Sequence, residues 1–146
     1  MEHLVLFFFI YYAVKWERRG MANEINLQPQ VLNLALYAGD GVEFRLICTD
    51  KAGAPVDVTG IVTAQVRLTP LTADPAIVDF TASMVDAYQG IVVLSLTGDQ
   101  THSLSAHPSS KNGTFLGVWD IQWAPANKQP RTLCHGSVEC VSDVTR

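Results

Sequence analysis

Residues 32–60 read LNLALYAGDGVEFRLICTDKAGAPVDVTG, and the fold class is decided here. Leu32, Leu34 and Leu36 share one parity. Val42, Phe44, Leu46 and Cys48 share one too, with Glu43, Arg45 and Thr49 opposite. Side chains of a strand point to alternate faces, so each run offers one apolar and one more polar face. Gly39-Asp40-Gly41 between them suits a tight reversal with positive φ, which predicts a hairpin. Asp50-Lys51-Ala52-Gly53 predicts a second reversal. Ala54-Pro55-Val56-Asp57-Val58 then reads as an extended edge segment, because Pro55 has no N–H to give a ladder.

The same alternation recurs downstream. In Ile61–Thr69, Val62, Ala64, Val66 and Leu68 alternate with polar neighbours, the pattern of a half-buried strand. Pro70–Pro75 is loop-like. Ile77–Val85 resumes with Val78, Phe80, Ala82 and Met84 in phase. A turn at Asp86–Gly90 leads into Ile91–Leu96, an almost wholly apolar run suited to a central strand. Thr97 with Gln100 three residues on fits a capping box and predicts one or two helical turns. Thr114–Trp123 puts Phe115, Gly117, Trp119, Ile121 and Trp123 on one face. Arg131–Val141 is the last strand, with a bulge expected at Gly136, where the phase changes. The expected fold is all-β: an Ig-like antiparallel β-sandwich of about seven to eight strands with one short helical turn. Its core should include Val66, Phe80, Leu94, Trp119 and Ile121.

The first twenty residues, MEHLVLFFFIYYAVKWERRG, do not fit that pattern. Leu4–Val14 is an apolar run of eleven, whereas a spanning helix needs about 20. A secretory signal carries its positive charge before the apolar run; here Lys15, Arg18 and Arg19 follow it. Met21 opens MANEINLQPQ, a plausible start. Glu17-Arg18-Arg19-Gly20 can be encoded GAA AGG AGG GGN, which contains the bacterial ribosome-binding sequence. Residues 1–20 therefore read as an upstream untranslated region read in frame from an early start codon, with the native start at Met21; a short interfacial or partner-binding helix is the alternative. Residues 21–31 read as an N-terminal arm and 32–146 as the sandwich.

Composition narrows the function classes. Of 146 residues, 48% are hydrophobic and 16% charged, as in a globular domain. The net charge is −4. Without residues 1–20, seven basic and twelve acidic residues remain, a net −5. Arg45, Lys51, Arg67, Lys111, Lys128 and Arg131 are scattered singly, which argues against nucleic acid as a partner. Membrane is not an expected partner either. Cys48, Cys134 and Cys140 lack metal or disulfide spacing and read as small core residues.

Candidate chemistry is sparse. His3, His102, His107 and His135 lack metal-ligand spacing, and no nucleophile-plus-base signature accompanies them. Ser103, Ser105, Ser109 and Ser110 lie outside any nucleophile elbow. Asp40, Asp50, Asp57, Asp74, Asp86 and Asp99 sit at turns, where their turn chemistry accounts for them. No catalytic residue, cofactor or metal is expected. Trp119 and Trp123 read as core; a sugar platform built on them, or on Tyr37 and Tyr88, is the binding-module alternative. The candidate interaction residues are Ile25, Leu27, Tyr37, Asp40 and Tyr88.

Leu32–Arg146 resembles a small β-sandwich module of tailed bacteriophages, the N-terminal domain of baseplate upper proteins and related tail-tip collar proteins. The resemblance is carried by Leu36-Tyr37-Ala38-Gly39-Asp40, Asp50–Gly60, Gln89-Gly90-Ile91-Val92, Leu94-Ser95-Leu96-Thr97, Trp119-Asp120-Ile121, Gly136-Ser137-Val138 and Val144-Thr145-Arg146. It implies a non-enzymatic virion structural protein, made in the host cytoplasm and placed at the tail tip rather than the capsid. Its partners would be copies of itself in a ring and other virion proteins. The chain lacks the helical or receptor-binding extension of longer baseplate proteins, which favours a collar, adaptor or decoration protein. Capsid decoration and carbohydrate binding are the rival readings.

Overall fold

The computed structural model describes residues 8–12, 30–50, 53–71 and 74–142. Two sheets form, and their apolar faces pack together. The first has the order β1 (Phe8–Tyr12), β4 (Val42–Asp50), β8 (Ile91–Leu96), β7 (Thr81–Asp86). The second runs β10 (Arg131–Val141), β9 (Thr114–Ala124), β5 (Ile61–Arg67), β6 (Val78–Asp79). Short β2 (Gln30–Val31) and β3 (Leu34–Tyr37) both lie against the free side of β10. The described residues thus hold ten strands. The excess over expectation comes from short pieces such as β2 and β6.

The expected all-β sandwich is present, and the expected core residues are in it. Val66, Phe80, Leu94, Trp119 and Ile121 are all buried. Phe44, Phe80 and Trp119 form an aromatic cluster bridging the two sheets, with ring centroids 5.6–6.5 Å apart. Thr97 caps the one α-helix among the described residues, α1 (Gly98–Ser105). Its hydroxyl accepts from the Gln100 N–H, and the Gln100 side chain accepts from the Thr97 N–H, the predicted capping box. Buried Thr101 ties this helix to the β3–β4 connection: its hydroxyl accepts from Gly39 N–H and donates to the Asp40 carbonyl.

Four local expectations are corrected. Gly39-Asp40-Gly41 does not close a hairpin. β3 pairs in parallel with β10, and the chain crosses from one sheet to the other before β4. Gly39 has φ +90°, while Gly41 has no positive φ. The sandwich is therefore not wholly antiparallel: β1 on β4 and both β2 and β3 on β10 are parallel. Ile77–Val85 keeps its phase but is not one strand. Phe80 N–H donates to Ala64 O at 2.9 Å, and the chain then leaves β5 for β8. The bulge in β10 falls between Thr132 and Cys134, so that Leu133 and Cys134 are both buried. Gly136 answers a different need. A Cβ there would lie 1.7 Å from the Leu32 carbonyl, where the β2–β3 kink presses on β10.

Residues 1–7 and 13–29, and with them most of the expected extension and arm, lie outside the described residues. Phe8–Tyr12 is a strand rather than the alternative helix, and the second sheet begins at Gln30, two residues inside the expected arm. No described helix is long and apolar enough to cross a membrane.

Candidate docking surfaces

The five candidate interaction residues do not form one site. Ile25 and Leu27 lie outside the described residues. Tyr37 is 60% exposed at the end of β3, one side of the turn that holds Asp40. Tyr88 is 73% exposed in a turn of 3-10 helix, Ala87–Gln89. That turn meets the far end of β4, where Cys48 N–H donates to Gly90 O. Asp40 and Tyr88 are thus separated by nearly the whole of β4, about 26 Å at strand spacing. Tyr37 and Tyr88 therefore lie towards opposite ends of β4 and do not share one surface. Trp119 and Trp123 are committed to the fold instead, their indole N–H groups donating to Leu32 O and Thr59 O.

The histidines are likewise dispersed. His107 sits edge-on to Phe115 with Nδ1 accepting from the Ser109 N–H. His102 is exposed on α1 and His135 exposed on β10. Among the described residues, no group of three or more His, Cys, Asp or Glu could hold a metal ion. Burial pushes the Cys48 and Cys134 thiols up to about 12 and Cys140 to about 11, so these are protonated core groups.

Two surfaces emerge that the sequence did not display. One is the outer face of the second sheet. Register aligns Val31, His135, Asp120, Gln65 and Asp79 in one row across five strands. Arg67, two residues beyond Gln65, donates to the Gln65 side chain at 2.6 Å and to the Asp74 carbonyl. Partial burial raises the Asp120 carboxyl above its usual range, against the opposing pull of Arg67, Gln122 and His135. Only strand register reveals this row, since its members are far apart in sequence.

The other is the outer edge of β4. Cys48 spends both backbone groups on the β8 side, its N–H on Gly90 O and its carbonyl on Val56 N–H. Backbone groups alternate sides along a strand, so those of Ile47 and Thr49 point outward. There β1 pairs with Leu46–Asp50 in parallel. By contrast, the β7 edge is broken by a bulge at Val85, a common protection against strand addition.

No family model and no curated protein matches the chain. Among solved structures, it is similar to the N-terminal domain of phage TP901-1 ORF48. The identity is 8%, the match covers 95% of this chain and 98% of that one, and the TM-score is 0.41.

Proposed function

We propose that this chain is a non-enzymatic structural protein of a tailed-phage virion, an adaptor or collar at the tail tip. It assembles as a ring of identical copies and holds a neighbouring tail or fibre protein. Translation starts at Met21. The observation that carries this reading is the order of the quoted motifs along the sequence, with their residues at the joints of the fold. Gly39-Asp40 makes the crossing between sheets, Gly90 closes the turn before β8 in left-handed conformation, and Trp119 bridges the sheets. The outer edge of β4, which accepts a parallel strand in β1, fits association through backbone pairing.

Electron microscopy of virions labelled on this chain tests the location. Label at the tail tip supports the proposal, label on the shell makes it a capsid decoration protein, and unlabelled virions overturn it. Intact-mass spectrometry of the natively produced protein tests the start, and a mass that includes residues 1–20 refutes it. Deleting residues 22–29 should leave the melting temperature nearly unchanged and abolish ring formation or incorporation. A truncated protein that still assembles would move the contact onto the sandwich itself.

A further inference from the structure

We propose that the outer edge of β4 is the seat on which one copy receives the N-terminal arm of the next, added as a parallel strand. The inference rests on the reading that copies associate and that translation starts at Met21. The occupant is residues 22–28 of a second copy, ANEINLQ, with Pro29 closing the segment.

The seat takes a strand of this kind in the structure itself. Phe8–Tyr12 lies on it in parallel, register Phe8 to Leu46 through Tyr12 to Asp50. In a chain that begins at Met21 that strand is gone and the outward groups of Ile47 and Thr49 need another partner. The ladder between β4 and β8 carries no bulge from Val42 to Ile47, so the edge stays straight enough to pair.

The arm matches the seat in one parallel register. Leu46 and Cys48 face the core, while Arg45 faces solvent. Ile25 and Leu27 are two apart, as are Leu46 and Cys48. Placing Ile25 beside Leu46 puts Leu27 beside Cys48, extending the apolar layer at the open side of the sandwich. The same register puts Glu24, the only charged residue of the arm, beside Arg45, and Asn26 beside Ile47. Pro29 then falls beside Asp50, where the strand pairing ends, and has no N–H to continue a ladder. Each copy supplies one arm and one seat. Such a contact is head-to-tail, and it closes into a ring when the rotation permits.

Disulfide trapping tests the register. Neighbouring strands lie about 4.8 Å apart, within the Cα separation a disulfide tolerates. Asn26→Cys and Ile47→Cys are made as separate variants from the native gene with its own start, mixed, and oxidised with oxygen and copper phenanthroline. A covalent pair joining one of each is expected from the mixture. Amide exchange at Ile47 and Thr49 should slow on assembly of the unmodified protein. Arg45→Glu should weaken assembly by up to about fivefold, the range of a surface ion pair, and Glu24→Arg should restore it. Normal assembly with no trapped pair and no added protection at Ile47 overturns the seat but leaves the structural role standing. A bridge that forms only within a chain carrying both cysteines also overturns it. A protein that never self-associates removes the ring and the seat together.

Discussion

Phe80 is where the chain changes sheets, so its replacement tests the packing of the whole sandwich. It is 6% exposed, and its ring lies 6.0 Å from Phe44 and 5.6 Å from Trp119. Removing it empties a space that two rigid rings cannot close. Phe80→Ala should cost about 3–5 kcal/mol, the range for a buried aromatic truncated to alanine. Domains have a total of about 5–15 kcal/mol, so much of the stability would go. At about 2–4 °C per kcal/mol for a chain of this size, the melting temperature should drop by on the order of 10 °C. Phe80→Leu keeps most of the volume and should cost under about 1.5 kcal/mol. Urea titration followed by tryptophan fluorescence reads both, since Trp119 touches the site. The midpoint should move with little change in slope. Exposed Leu116 supplies the comparison, with an expected change within about 0.5 kcal/mol on truncation. If Phe80→Ala costs less than about 1 kcal/mol, the ring is not wedged between the sheets and the phase assigned to this segment is wrong.

Gly136→Ala should destabilise the protein and loosen the β2–β3 segment, because the new methyl meets Leu32 O at 1.7 Å; hydrogen exchange at Leu32, whose N–H donates to His135 O, reads the loosening, and unchanged protection refutes it. Asp120 holds its proton more tightly folded than unfolded, so its contribution to stability is present at low pH and is lost as pH rises from 3.8 through the raised folded value. Asp120→Asn should flatten that part of the stability–pH curve and leave the protein at least as stable at neutral pH. A clear loss of stability there would mean that Arg67 and His135 outweigh the burial.

Apolar patterning along the chain makes the core legible: alternation marks Val66 and Ile121 as buried, and a continuous apolar run marks Leu94. Pairing itself was less legible. A Gly-Asp-Gly turn serves a hairpin and a crossing between sheets equally well, because both need only a reversal. What sends β3 to β10 is the partner's position more than a hundred residues later, and no local residue encodes that. The change of apolar phase in β10 predicts a bulge at Gly136, but the register shift that causes it falls between Thr132 and Cys134, and Gly136 answers close backbone approach instead. The Asp120 row and the β4 edge depend on register and on the direction of backbone groups, so single-residue patterns could not show them. Tyr37 and Tyr88 were legible as exposed, but their separation was not.

The three cysteines offer a measure of how the sandwich opens. Burial raises the Cys48 and Cys134 thiols to about 12 and Cys140 to about 11, from 9.0. Raised folded values mean that their contribution is intact below pH 9.0 and is lost as pH climbs towards the folded values. Stability should therefore fall on the alkaline side by up to about 1.4 kcal/mol per pH unit for each thiol. Below that range a thiol reagent must wait for an opening. Cys48 and Cys134 lie on the inner faces of opposite sheets, so exposing them requires the sheets to part. Cys140 lies under α1, its thiol donating to Thr101 O at 3.3 Å. Lifting an eight-residue helix is a smaller event than separating two sheets. Cys140 should be labelled first, and Cys48 and Cys134 together, at a rate that tracks global unfolding. Thr97→Ala removes the helix cap and should accelerate Cys140 alone. If Cys48 reacts as fast as Cys140 in the unmodified protein, the sandwich opens from the β4 side, and α1 is not its least stable part.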